Sequence, residues 1–183
     1  MHLPISTRQA GLTLIETLFV VAIIAVLVGF ASNGVSAAVQ ASHSSNGLSS
    51  LIASLTRARS SAANLAVDVV LCPSSDGANC APGDHWERGW IAFAATHSGS
   101  DRVSDEPVLF RQDALPRKVH LVTSAGRTRI RFQPSGSNAG SNATFTLCDG
   151  RGPAKATAYA MANNGNLHST KTEPANVAQA CSG

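Results

Sequence analysis

Residues 12–31 read LTLIETLFVVAIIAVLVGFA, and this stretch decides the fold. Twenty residues contain one charge, Glu16, and two further polar side chains, Thr13 and Thr17. A helix of that length rises about 30 Å, the hydrocarbon thickness of a bilayer. A buried core helix is the plain alternative, but so long an apolar run at the start of a chain exceeds what a small core needs. A secretory signal peptide is the stronger competitor. Its apolar region runs about 7–15 residues and ends in small residues before a cleavage site. This run is longer, and Glu16 stands where a signal peptide wants no charge. The flank MHLPISTRQAG carries Arg8 and no acid, which puts this end on the cytoplasmic side. The expectation is a single membrane-spanning helix over 12–31 with an exported remainder.

A carboxylate inside a membrane segment costs roughly 2.5–3.5 kcal/mol on insertion scales and usually marks function. Glu16 is near enough to the start of the run to snorkel, which accounts for its tolerance but not its purpose. A cut between Gly11 and Leu12 would create an α-amino group close to Glu16, or to the Glu16 of a neighbouring copy. In low dielectric the two charges compensate each other.

Gly11-Leu12-Thr13-Leu14-Ile15-Glu16 resembles the type III leader of type IV pilins and pseudopilins. The resemblance implies that a prepilin peptidase removes residues 1–11 after Gly11 and methylates Leu12. It also implies that Glu16 pairs with a neighbour's amine during filament assembly. The family usually has Phe after the cut; Leu12 stands there in this chain.

The rest of the 183 residues fits about one domain. The chain is 44% hydrophobic and only 14% charged, against a typical charged share of about 25%. A net charge of +3 is too small to declare a nucleic-acid protein. No GxxxxGK[ST], HExxH or GxSxG occurs, which argues against a nucleotide motor, a zincin and a serine hydrolase. No acid/base or nucleophile constellation supports an enzyme, and none calls for a cofactor.

From Leu48 a helical period returns. Leu48, Leu51, Ile52, Leu55, Ala58, Ala62 and Leu65 share one face, and Ser49, Ser50, Ser54, Arg57, Ser60, Ser61 and Asn64 share the other. One long helix over about 12–66 is expected, with its 32–66 half packed on a globular head. After residue 66 short β runs alternate with turns: Val67–Cys72, Gly89–Phe93, Val108–Arg111, Val119–Thr123, Thr128–Gln133, Ala143–Cys148 and Thr157–Ala162. Strands so spaced, without intervening helices, predict an antiparallel sheet in a head over 67–183, an α+β fold. Thr170–Gly183 reads as loop.

The head carries a second resemblance. Ala58-Arg59-Ser60, Leu71-Cys72, Trp86 followed by Gly89-Trp90-Ile91-Ala92-Phe93, Phe132-Gln133-Pro134-Ser135-Gly136 and Phe145-Thr146-Leu147-Cys148 are similar, in order, to the GspH/FimT branch of pseudopilins and minor pilins. The resemblance implies a pilin-like fold and a minor pilin or pseudopilin of a type IV pilus or type II secretion filament. Its partners would be other pilin or pseudopilin subunits, the prepilin peptidase, an inner-membrane assembly platform and membrane lipid. Its place would be the bacterial inner membrane, single-pass, with the head in the periplasm.

Four cysteines stand at 72, 80, 148 and 181. An even count in an exported head suggests disulfides, and three connectivities are possible. Cys72–Cys80, a short loop, with Cys148–Cys181, a tail anchor, is the favoured pair. A metal site from Cys72, Cys80, His85 and His97 is the rival, but no Cys-x-x-Cys or His-x-x-x-His spacing supports it.

Charge is uneven along the head. Asp68 to Glu106 holds seven acids and two bases, whereas Arg111 to Arg151 holds seven bases and two acids. Arg127, Arg129 and Arg131 alternate with Thr128, Ile130 and Phe132. On one strand they would form a row on one face, suited to tracking phosphates. A solvated outer face or internal salt bridges are the competing reading. Some type IV pilus members of the family bind DNA through a C-terminal Gly-Arg-x-Arg. Here that position reads Gly165-Asn166-Leu167-His168, and Gly126-Arg127-Thr128-Arg129 lies upstream. A DNA-binding minor pilin is the alternative expectation.

Overall fold

The structure, a computed structural model, describes residues 11, 13–97, 102–103, 105–138 and 140–182. The chain divides into two compact units, Met1–Ala38 and Val39–Gly183. One helix, α1 (Leu14–Leu65), runs from the first into the second. Its start follows from Thr13, whose Oγ1 accepts the Glu16 N–H at 3.3 Å and whose carbonyl accepts the Glu16 and Thr17 N–H groups at 3.1 and 3.2 Å. Thr13-x-x-Glu16 is a capping-box spacing, in which a side-chain oxygen satisfies an orphan donor of the first turn. Of the expected 12–31 span, Leu12 and the side chains of Val28, Phe30 and Ala31 lie outside the described residues. Among the described residues no helix is long and apolar enough to cross a membrane.

In the second unit Leu51, Leu55, Ala58 and Ala62 of α1 are buried at the spacing of one helix face. The stripe is rotated from the expected one. Ser44 and Ser54 are buried, while Ile52 and Leu65 are 44% and 50% exposed. Small serines let the sheets approach the helix, and the larger side chains stand at its flanks. Ala66 ends α1 with φ 56°, the left-handed conformation that closes many helices.

Eight strands follow: β1 (Asp68–Pro73), β2 (Trp90–Ala95), β3 (Val108–Gln112), β4 (His120–Thr123), β5 (Ile130–Phe132), β6 (Thr144–Cys148), β7 (Thr157–Met161) and β8 (Leu167–Thr170). They form two four-stranded antiparallel sheets rather than one, in the orders β3-β2-β1-β5 and β4-β6-β7-β8. The inner faces of both sheets close on α1 in one core, with Leu71, Trp86, Trp90, Phe132, Phe145 and Leu121 all buried. Alternation along each strand sends the next residues to the outer faces. There Val70, Cys72, Ile91 and Phe93 form one small buried cluster, and Val122, Cys148 and Ala180 another.

The tail differs from the expected loop. It makes β8 and then a second helix, α2 (Pro174–Cys181). Pro174 opens α2, where a missing N–H removes nothing. Two glycines are required by close approaches. A Cβ on Gly89 (φ 105°) would lie 2.6 Å from the Gln112 carbonyl oxygen, and one on Gly165 (φ 79°) would lie 2.6 Å from Phe132 Cε1.

Candidate functional site

The first candidate site is the start of α1. Gly11 is described and exposed, whereas residues 1–10 and Leu12, the predicted methylation site, lie outside the described residues. Glu16 stands in the first turn of α1, where a carboxylate interacts favourably with the helix dipole. Its backbone N–H is capped by Thr13, and its carboxylate makes no hydrogen bond among the described residues. Around it Leu14, Ile15, Leu18 and Phe19 are 78%, 62%, 60% and 65% exposed. The apolar exposure continues through Val20, Val21, Ile23, Ile24, Val26 and Leu27. Fully apolar surface on this scale marks contact with another apolar phase, lipid or protein. The Thr13–Glu16 cap escaped the sequence reading, although the Thr-x-x-Glu spacing was the signal for it.

The four cysteines pair as Cys72–Cys80 and Cys148–Cys181, each with Cα atoms 5.5 Å apart. Bonded sulfurs are withdrawn from metal ligation, so Cys72 and Cys80 do not join His85 and His97 in a site. His85 Nδ1 lies 2.9 Å from Glu87 Oε1 instead, and His97 Nδ1 lies 3.4 Å from Glu106 Oε1. Each disulfide sits in one of the outer-face clusters. Cys72 and Cys80 flank Val70, Ile91 and Phe93; Cys148 and Cys181 pin α2 over Val122. The Gln179 side-chain amide donates to Asp84 Oδ2 at 2.8 Å and holds α2 from a second point.

The arginine row is not formed as expected. The strand there is Ile130–Phe132, so Arg131 alone of the three lies on it. Ile130 and Phe132 are buried as alternation requires. Arg131 Nη1 donates to Asp68 Oδ2 at 2.9 Å across the β1–β5 pair. Arg129 donates to the Ala81 and Thr128 carbonyls at 3.2 and 2.9 Å. Arg127 is in the preceding turn, its N–H bonded to the Ser124 carbonyl at 3.1 Å. The run is too short because the Thr123 hydroxyl donates forward to the Arg127 carbonyl at 2.6 Å and fixes a turn there.

Several acids are likewise held by donors of their own chain. Glu106 is 1% exposed. Its Oε1 accepts the Thr96 and His97 N–H groups at 2.7 and 3.1 Å, and its Oε2 accepts that of Val103 at 2.9 Å. Burial alone would raise its pKa, but the backbone donors Val103, His97 and Thr96 together hold it below the ordinary carboxylate value. Asp76 accepts the Ala78 and Asn79 N–H groups within the Cys72–Cys80 loop, and those bonds lower its pKa strongly. Asp149 is held low chiefly by the Arg151 guanidinium, at 2.9 and 2.6 Å. Among the described residues no group of His, Cys, Asp and Glu is placed to hold a metal ion.

A family model described as Type II transport protein GspH matches residues 48–165. A model of the prokaryotic N-terminal methylation motif matches residues 6–32. No curated protein matches the chain. Two crystal structures of the type IV minor pilin FimU from Pseudomonas aeruginosa (strain PAO1) are similar to it. One has a TM-score of 0.53 at 16% identity, over 72% of this chain and 88% of that chain. The other has a TM-score of 0.50 at 17% identity, over 71% and 91%. At these identities the likeness is one of fold.

Proposed function

The chain belongs to the GspH family of minor pilins and pseudopilins, and from that premise we propose that it is a subunit of an inner-membrane-anchored filament of the type IV pilus or type II secretion class. The observation that carries this reading is the order of parts on one chain. A methylation motif over 6–32 precedes a GspH head over 48–165, and the apolar side chains from Leu14 to Leu27, inside the motif, stand exposed among the described residues. In this reading the prepilin peptidase cuts between Gly11 and Leu12 and methylates Leu12. The 12–31 segment rests in the inner membrane, with the head in the periplasm, until the assembly platform transfers it to the filament. There Glu16 is neutralised by the freed amine of an adjoining subunit. The role is structural: it supports assembly or priming, and no step asks the head for chemistry.

Glu16→Ala in the full-length chain tests it. N-terminal sequencing is expected to find Leu12 as the first residue in both forms, while sheared filaments contain only the parent. The mutant at parental level in those filaments, or an intact Met1 in the mature parent, overturns the reading.

A further inference from the structure

We infer that the end of the head at which the chain enters, at Val39, is a docking face for anionic phospholipid headgroups. Two α1 residues mark that end. A Cβ on Gly47 would meet Leu115 at 3.3 Å and Val119 at 3.7 Å, and one on Gly150 would meet Lys118 at 3.1 Å and Gln40 at 3.2 Å. The segments 113–119 and 149–156 therefore gather where α1 enters the head. The Leu115 N–H donates to the Glu87 carbonyl at 2.8 Å and brings residues 86–89 to the same end. On these three segments Arg88, Arg117, Lys118 and Lys155 are all exposed, and none has an ion-pair partner among the described residues.

The acids beside them are largely engaged. Glu87 lies 2.9 Å from His85 Nδ1 and accepts the Leu121 N–H at 3.3 Å. Asp149 is held by Arg151. Asp113 alone on these segments is an exposed acid. The surface there is thus net positive, although the whole chain carries only +3.

Chain length selects the occupant. Gln40 follows Ala31, the end of the apolar run, by nine residues, about 14 Å of helical rise. In the anchored reading a tether of that length carries Gln40 at most about 14 Å past the apolar run, no more than the headgroup layer and one Debye length of about 8 Å together. Lipid is favoured over nucleic acid because Trp86, the aromatic side chain of these segments, is 0% exposed and offers no base a stacking face. The inference rests on the membrane-anchored reading above.

The test uses the full-length protein reconstituted into phosphatidylcholine vesicles with and without phosphatidylglycerol. Amide hydrogen exchange over 86–89, 113–119 and 149–156 is the readout. Exchange is expected to slow at least fivefold on anionic vesicles alone, and to recover in 0.5 M salt. The quadruple variant Arg88→Gln, Arg117→Gln, Lys118→Gln, Lys155→Gln loses the effect, and each single variant keeps part of it. Its thermal midpoint stays that of the parent, which separates lost charge from lost fold. Equal exchange on both vesicle types overturns the inference, as does protection by duplex DNA but not by phosphatidylglycerol. Carbonate extraction is read alongside. A chain that resists extraction but shows no lipid-dependent protection sinks this inference alone, whereas a chain that extracts freely sinks the anchored reading.

Discussion

Two acids divide the molecule. Glu16 sits among exposed apolar side chains, and its carboxylate makes no hydrogen bond among the described residues. Glu106 is 1% exposed and accepts three backbone N–H groups. The same contrast runs along α1. Leu18 is 60% exposed, whereas Leu51 and Leu55 are 0% and 2% exposed. The head holds Glu106 with its own backbone and buries its leucines; the segment around Glu16 leaves its apolar side chains exposed.

The sharpest way to break this contrast is the Glu16→Ala filament assay, where incorporation is expected to vanish. Next in size is a pair of leucines. Leu51→Ala should destabilise the head by about 2–5 kcal/mol, because a buried side chain leaves a cavity. Leu18→Ala should leave the denaturation midpoint of the detergent-solubilised chain unchanged. A shift for Leu18 equal to that for Leu51 would erase the distinction. Removing Cys148–Cys181 by paired alanines should cost about 4 kcal/mol, and removing Cys72–Cys80 about 2.5 kcal/mol, because the sequence separations are 33 and 8. Denaturant midpoints of the two variants give the order directly.

Glu106→Gln sharpens the comparison of the acids. At pH 7 it should cost about 1.5–3 kcal/mol, since hydrogen bonds to a buried carboxylate are among the stronger ones. The folded-state pKa of Glu106 is lowered, so its contribution is present above the unfolded value near 4.5 and is lost as pH falls through the folded value. The parent and variant midpoints should therefore converge as pH drops below about 4.5. The smallest effect is Ala66→Gly, which relieves a left-handed alanine and should raise stability by about 0.5–1 kcal/mol.

Most of the fold was legible because its signals are periodic. The apolar run, the stripe at Leu51, Leu55, Ala58 and Ala62, and seven of the strands announce themselves by spacing. The eighth strand, Leu167–Thr170, was not legible, since three of its four residues are exposed and carry no alternation. The short α2 was hidden for a related reason: eight residues with one buried side chain, Ala180, leave no stripe to read. The split into two sheets depends on which strands pair, and pairing is not written in any single strand. At the candidate site Glu16 was conspicuous as a lone charge. Glu106 was not, because its donors are backbone N–H groups, which every sequence possesses. The arginine row is shorter than its alternation suggests because the Thr123 hydroxyl, seven residues before β5 begins, captures the Arg127 carbonyl; Arg131 makes the internal salt bridge of the competing reading.

The two sulfur links differ in when they can close. Cys72 and Cys80 belong to neighbouring turns of chain and can meet as soon as both have been synthesised. Cys181 follows every strand in chain order, so its bond to Cys148 waits until all eight have been delivered. A polypeptide halted between the two keeps a bare thiol at Cys148, and its short second helix has no covalent hold on the sheet.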